Sequence, residues 1–581
     1  MTTPATRKIF GIDLGTTYSC VSCINEYGVP TTIRDHASGE FLTPSVVYFD
    51  PDHDPSNPDE SPTVVGSFAK EVAKIAPERV AKVVKRHMHD QDWYFEVDGR
   101  KYDPAFISAR ILRHLATEAA KSIGEPVTDV VITVPAYFGT YERERTVEAG
   151  RIAGLVVHGV LPEPMAAALH YGLDEVDTGK TVLVFDLGGG TFDVTVMAFS
   201  AQSKESLATK GDHDLGGFLW DSALARYWAE QIAQKNGTDL DSLWKDGQVR
   251  EGLMLEAEKV KKSLTGASAT KAMLSHDGTT YTLPMDRKTF DSITEHLLSR
   301  CELLVDQALA VARDKRPGLA IDTVLLVGGS TLMPQVRERL LRKFGAAMTM
   351  RQTEPHLAVS LGAANYAYQM QVKAYLKEMV ELTADRNGYS ARSLDELPEA
   401  ERSRILAETA VQFGRPADAI ADIIAPTFVD VSPRSFGVKH LIAGRADEMF
   451  TTNLVRVQQP MPASGAKVFG TVQDKQASVR IVCVENERDL GVDDDAVPFD
   501  PDEVIGEVEL RLNGTLPANA PVEMAIDFDA TGRVRVRGKD LTHGNEIQGE
   551  FTSRGLRTPE QLLAAQGEMN QLAGVALMGR H

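Results

Sequence analysis

The sequence predicts a long α/β region, then a short all-helical stretch, an antiparallel β region and one C-terminal helix. Three patterns carry this. From residue 7 to about 370, short apolar runs alternate with helix-period segments, the signature of sheets covered by helices. The runs include KIFGIDLG, VVITVPAYF, TVLVFDLGGG and IDTVLLVGGS, and the helical segments include ISARILRHLATEAAKSIG and LWDSALARYWAEQIAQ. Residues 371 to about 422 hold no strand candidate: AYLKEMVEL and LPEAERSRILAETAVQFG are charged and helix-like, split by the turn signal RNGYS. After the Pro-bearing IIAPTFVDVSPRSFG come closely spaced alternating stretches, NLVRVQ, SVRIVCVEN, IGEVELRLNG, PVEMAIDFD and GRVRVRGKD, which predict antiparallel strands. The segment TPEQLLAAQGEMNQLAGVALM predicts an amphipathic helix opened by Thr558 and Pro559 as cap and first-turn residue.

A chain of 581 residues corresponds to about four units at roughly 150 residues each. Hydrophobic residues make up 43% and charged residues 25%, which excludes a largely disordered chain. With 62 basic and 82 acidic residues the net charge is −20, which argues against general nucleic-acid binding, since that affinity comes from Lys and Arg neutralising phosphates. A nucleotide remains compatible, because backbone N–H groups can build a local phosphate site. Cys20 and Cys23 form a C-x-x-C inside TTYSCVSCI, but that run predicts a strand whose positions three apart face opposite sides. With Cys301 and Cys483 as the only others, a disulfide framework is excluded. MTTPATRKIF lacks a signal-peptide apolar region and no run of 18 apolar residues occurs, so a cytoplasmic protein without membrane segments is expected.

IDLGTT (Ile12 to Thr17) and FDLGGGT (Phe185 to Thr191) each place Asp-Leu-Gly and a hydroxyl at the end of an apolar run. Glycine lets the backbone approach phosphate oxygens, Thr adds donors, and Asp can hold water on Mg²⁺. Two such half-sites suggest a duplicated α/β unit closing on a shared ligand: Asp13, Thr16 and Thr17 on one side, Asp186, Gly188, Gly189, Gly190, Thr191 and Asp193 on the other. DEVDTGKT (Asp174 to Thr181) only mimics a Walker loop: Asp174 replaces the first glycine and the segment precedes a strand, so a surface turn is expected.

GIDLGTTYS, VITVPAYF, AGRIAGL, EPMAAALHYGLD, VFDLGGGTFDV, GDHDLGG, LVGGST, EPHLAVSLGAA and DVSPRSFGV occur in this order. In these blocks the chain resembles the heat shock protein 70 family, the DnaK-like molecular chaperones. The resemblance implies an actin-like (ribonuclease H-like) two-lobed ATPase domain at 1–370, a helical insertion and linker at 371–429, a β-sandwich that binds extended peptide at 430–553, and a truncated lid helix at 554–581. It implies ATP/ADP with Mg²⁺ as ligands, the metal held through water by Asp13 and Asp186. Lys85 matches a lysine that contacts the γ-phosphate and attacking water, and Glu163 a glutamate near the magnesium water shell. Asp13, Lys85, Glu163, Asp186 and Thr191 form the implied catalytic set. Gly15, Thr16, Thr17 and Tyr18 complete the first phosphate loop; Gly188 to Gly190 and Asp193 build the second, with Gly216 and Gly217 nearby. Glu258, Lys261, Lys262 and Thr265, at i, i+3, i+4 and i+7 on one helix face, fall at ribose and adenine positions, opposite Gly328, Gly329 and Ser330. Pro135 and Arg143 match a relay between nucleotide and peptide sites. Val438, Phe469, Val472, Val479 and Ile481 match positions that line or support the peptide groove.

The chain departs from the family pattern at specific places. Leu332 stands where an arginine stacks on adenine, His356 replaces an aspartate beside the nucleoside, and GDHDLGG carries His213 and Asp214. APTFV (Ala425 to Val429) replaces the acidic, leucine-rich linker, and AGRADEMF is a longer, more acidic arch loop. The expected function is an ATP-driven chaperone acting as a monomer on unfolded polypeptides, with a J-domain co-chaperone and a nucleotide exchange factor as partners. The alternative is a nucleotide-binding regulatory protein that holds a specific partner with little ATP turnover. An actin-like small-molecule kinase would leave the β region unexplained.

Overall fold

The computed structural model describes residues 7–53, 61–171, 179–200, 203–276, 278–424, 427–442, 445–529, 533–550 and 555–573. The α/β region folds as two lobes built on one plan. In lobe I the strand Ile9–Asp13 pairs antiparallel with Tyr18–Ile24, placing Asp13 opposite Cys20, and parallel with Asp129–Val134 on its other side. In lobe II Thr181–Leu187 pairs antiparallel with Phe192–Phe199, placing Asp186 opposite Asp193, and parallel with Thr323–Val327. Each central strand therefore ends in its Asp-Leu-Gly turn at the same point of an equivalent sheet, which is the duplication expected from the two motifs. The central strands are buried on both faces, which explains their continuous apolar runs.

The 30-residue helix Ala358–Asn387 and the shorter Glu163–His170 pack where the lobes meet. A Cβ on Gly362 would come within 1.7 Å of the Ala166 carbonyl oxygen, so only glycine permits this crossing. Lobe II gathers Trp220, Trp228, Phe185 and Phe192 into its core. Cys20 and Cys23 are free and buried in different clusters, Cys20 with Leu357 and Leu361 and Cys23 with the lobe I core, as a strand with alternating faces requires.

The change of character expected at residue 371 falls inside a continuous helix. Its residues Val372, Leu376 and Val380 leave the lobes and nucleate a small core with Leu397, Ile405 and Ile420 from the following helices. The composition shifts there because the helix changes partner, not because it ends. Beyond these helices, Thr427–Val429 adds in parallel to Ser203–Glu205 at the edge of the lobe II sheet.

The C-terminal region is rich in β structure. One sheet runs in the order Val497–Pro498, Arg445–Val455, Ser435–Ile442, Gln476–Asn486, Val504–Leu516; the other runs Ala463–Gly470, Pro521–Phe528, Val534–Asp540, Glu546–Glu550. Phe436, Ile481, Val522 and Ile526 from the two sheets share one apolar core.

The helix Pro559–Ala573 opens with the cap expected from sequence. Thr558 N donates to Gln561 Oε1 at 2.9 Å and Gln561 N donates back to Thr558 Oγ1 at 3.3 Å, a reciprocal capping box. Its destination is lobe I rather than the β sheets: Ala565, Met569 and Leu572 join the lobe I core. The Leu572 carbonyl accepts from the hydroxyls of Ser61 at 2.6 Å and Thr63 at 2.7 Å. Met569 is fully buried. Met569→Ala is expected to destabilise the first unfolding transition in urea by about 2–5 kcal/mol, the range for truncating a buried Met. An unchanged midpoint would show that this helix does not belong to the lobe I core.

The turn expected at Asp174 to Thr181 lies largely outside the described residues, as do Ala425, the start of the AGRADEMF loop and the chain after Ala573. Among the described residues no helix is long and apolar enough to cross a membrane.

Candidate functional site

A cleft of about 450 Å³ opens between the lobes. It is lined by Asp13, Gly15, Thr16, Thr17 and Tyr18 from the first turn, and by Asp186, Gly188, Gly189, Gly190 and Thr191 from the second. The glycine backbone of the second turn packs directly against the threonine side chains of the first. A Cβ on Gly189 would lie 1.8 Å from Thr17 Oγ1, and one on Gly190 would lie 2.2 Å from Thr16 Cγ2. Gly216 and Gly217 stand behind the second turn: Gly217 N donates to the Gly188 carbonyl at 3.0 Å, and a Cβ on Gly216 would strike the Gly190 backbone. Gly328 has φ +81° and a Cβ there would lie 2.3 Å from the Leu187 carbonyl oxygen, so a larger residue is excluded twice over. Ser330 Oγ donates to the Gly188 carbonyl at 2.9 Å and completes that wall.

At the cleft floor Lys85, on the turn Val84–His87, pairs with Glu163 at the start of its helix; Nζ and Oε1 are 2.7 Å apart and both residues are buried. Asp13 accepts from Thr133 Oγ1 at 3.1 Å. Burial and then the neighbouring Glu163 raise the Asp13 carboxyl to about 7, against partial relief from Lys85 and Thr133. Burial, Glu163 and Asp13 push Asp186 well above the usual carboxylate range, and burial with Glu163 and Asp186 does the same for Asp193. One buried Asp193 oxygen, Oδ1, has no hydrogen-bond partner among the described residues. Four acids thus crowd around one lysine, an arrangement short of positive charge. Arg86 closes over the second turn, its guanidinium donating to the Gly190 carbonyl at 3.0 and 2.7 Å and to the Asp214 carbonyl at 3.4 Å. His213, beside Asp214, packs edge-on against His89, with ring centroids 5.2 Å apart.

At the mouth, Glu258 anchors a network spanning both lobes. Tyr18 Oη donates to Glu258 Oε1 at 2.7 Å and accepts from Lys70 at 2.7 Å and Lys262 at 3.0 Å. Lys70 and Lys262 also pair with Glu258 directly. Burial alone would raise the Glu258 carboxyl, but the two lysines hold it well below its ordinary range. Lys82 and Glu251 form a second cross-lobe pair. Lys261 is turned inward, donating to Asp221 at 2.8 Å and to the Gly217 carbonyl at 2.9 Å. Burial raises Asp221 to about 6 despite that lysine. Thr265 Oγ1 donates to the Lys262 carbonyl. Leu332 and His356 border the same end: Leu332 is 44% exposed, and His356 lies beside Gly329, its pKa lowered by burial.

Most residues singled out from the sequence therefore meet in one cleft. Asp193, Gly216 and Gly217 back it rather than line it. Lys70, Lys82, Glu251, Phe218, Met254 and Asp221 also line it and went unremarked in the sequence. The lysines and Glu251 carry no local motif, and their pairing exists only across the two lobes.

Pro135 and Arg143 lie away from the cleft. Arg143 is buried, its Nε donating to the Phe138 carbonyl at 2.9 Å, and its charge faces Asp430, Glu142 and Glu485. Tyr137, two residues after Pro135, would meet a Cβ on Gly211 at 2.4 Å, as would Asp193 Oδ1 at 2.9 Å. In the C-terminal sheets Val438, Val479 and Ile481 sit in the shared core. Phe469 packs at its margin against His440, 5.0 Å between ring centroids, and Val472 is exposed. Among the described residues no group of three or more His, Cys, Asp or Glu side chains is placed to grip a metal ion directly. The sequence model of the family described as Hsp70 protein matches residues 9–383.

Proposed function

From the premise that this chain belongs to the Hsp70 family, we propose that it hydrolyses Mg-ATP to drive binding and release of extended apolar segments of unfolded polypeptides. The observation that carries this reading is the Lys85–Glu163 pair at 2.7 Å, set among Asp13, Asp186 and Thr191 between two glycine–threonine turns.

Phosphoryl transfer asks a protein chiefly for positioning and charge stabilisation. The hydroxyls of Thr16, Thr17 and Thr191, with backbone amides of the two turns, hold the phosphate chain. Lys85 supplies positive charge where negative charge develops, and Glu163 fixes its ammonium. Thr191 orients the attacking water. Asp13 and Asp186 would hold Mg²⁺ through water, and the ion would there supply charge neutralisation of the phosphates; the excess of buried carboxylates over cations suits it. Glu258, Lys262 and Thr265 face the ribose and base, with Leu332 as an apolar wall and Lys261 supporting Asp221 from behind.

In this reading Pro135 and Arg143 relay the state of the cleft to the C-terminal sheets, where Val438, Phe469, Val472, Val479 and Ile481 shape or support a site for extended peptide. J-domain and nucleotide-exchange partners act on the ATPase lobes. Four buried free cysteines suit a reducing, cytoplasmic setting.

Thr191→Ala is expected to slow single-turnover hydrolysis by about 10²-fold, the order associated with a positioned catalytic group, while nucleotide still binds by calorimetry. Equal turnover in the variant would remove Thr191 from the reaction, and absence of ATP binding by the wild type would remove the reading itself.

A further inference from the structure

The C-terminal sheets touch lobe I at the first turn of the helix Thr140–Ile152. Glu485, on the strand Gln476–Asn486, accepts a hydrogen bond from Thr140 N at 3.0 Å. The helix's own cap residue, Gly139, makes no side-chain cap bond, so the cap comes from the other region of the chain. Glu142, buried in the same turn, converges on the same point: a Cβ on Gly139 would lie 2.5 Å from Glu485 Oε1 and 3.1 Å from Glu142 Oε2. Two carboxyl groups therefore share a seam from which water is largely removed, and like charges so placed cannot both ionise without cost.

We propose that this seam is a proton-linked latch: the C-terminal sheets dock on lobe I with Glu485 carrying a proton, and losing that proton loosens them. Four other groups face Glu485. Glu142 opposes its charge, Arg434 partly compensates it, Arg143 lies behind both acids, and Cys483 on the same strand is a buried, neutral thiol. Arg434 is itself committed to Glu487. Burial first, then Glu142, raises the Glu485 carboxyl from 4.5 to about 7, after the opposing effects of Thr140 N and Arg434.

The sign follows from linkage. A carboxyl with a higher pKa docked than undocked makes docking take up a proton. Docking is strongest below the undocked pKa, weakens by up to tenfold per pH unit between about 5 and 7, and is flat above the docked pKa. The device concerns the nucleotide-free chain and stands whether or not the cleft hydrolyses ATP.

The test uses the full chain with a fluorophore pair on Lys121→Cys and Asp493→Cys, both positions exposed, in the urea concentration that half-undocks it at pH 6. Energy transfer is expected to fall from pH 5 to 7 and level off above. Glu485→Gln, which keeps an acceptor for Thr140 N and loses the charge, is expected to flatten the profile. Glu142→Gln is expected to move its midpoint to lower pH, and it serves alone if Glu485→Gln does not fold. A wild-type profile without pH dependence, or one that either substitution leaves unchanged, overturns the latch.

Discussion

Lys85→Ala is expected to lower single-turnover ATP hydrolysis by about 10²–10³-fold, the cost of removing one donor aimed at developing charge in a water-poor site. The environment makes the effect large. Lys85 is the cation in contact with Glu163, and its charge offsets the burial that raises Asp13, Asp186 and Asp193. Without it, Glu163 is left buried beside three further acids, and the carboxyls that should hold hydrated Mg²⁺ are pushed further toward their neutral forms. Both consequences act in the same direction. Quench-flow with labelled ATP at saturating enzyme separates the chemical step from binding. A rate within threefold of wild type would place Lys85 outside the reaction and make its pairing with Glu163 purely structural.

Gly189→Ala is expected to reduce hydrolysis by about 10²-fold, the scale on which a displacement near 1 Å costs rate. The added methyl would sit 1.8 Å from Thr17 Oγ1 and 2.8 Å from Thr17 Cβ, so the two glycine–threonine turns must separate. Gly189 lies in the second lobe and Thr17 in the first, so the substitution acts on their closure and leaves each turn's own chemistry in place. Gly39→Ala, at an exposed turn where a Cβ meets nothing within 4 Å among the described residues, controls for the methyl group itself, although its φ of +72° costs some stability. Equal loss in both variants would mean that global destabilisation, not turn separation, sets the effect.

What the sequence disclosed and what it concealed divide along locality. Asp13 and Asp186 were legible because an apolar run, an Asp and a Gly/Thr turn are neighbours in the chain, and the sheets repeat that neighbourhood in register. The helix Pro559–Ala573 was legible from its cap and period, but its docking on lobe I was not: an amphipathic face says that something covers it, and the covering residues lie more than 400 positions earlier. The pairs Lys70–Glu258 and Lys82–Glu251 join residues 188 and 169 positions apart, so no window contains them. The strand Thr427–Val429 is three residues long and takes its identity from the edge of the lobe II sheet it completes. The change of character at residue 371 was legible, but not that it falls inside one helix that changes packing partner, since composition reports what surrounds a helix and not where it stops.

The proposed coupling between the cleft and polypeptide binding has a direct readout in the rate of hydrolysis. Single-turnover hydrolysis would be followed with and without an unfolded, apolar-rich peptide, and again with a J-domain protein added. Faster hydrolysis is expected with both, and loss of that stimulation in Arg143→Ala, whose charge faces Asp430, Glu142 and Glu485. Hydrolysis that neither addition stimulates would contradict it and leave a nucleotide-binding protein with little turnover.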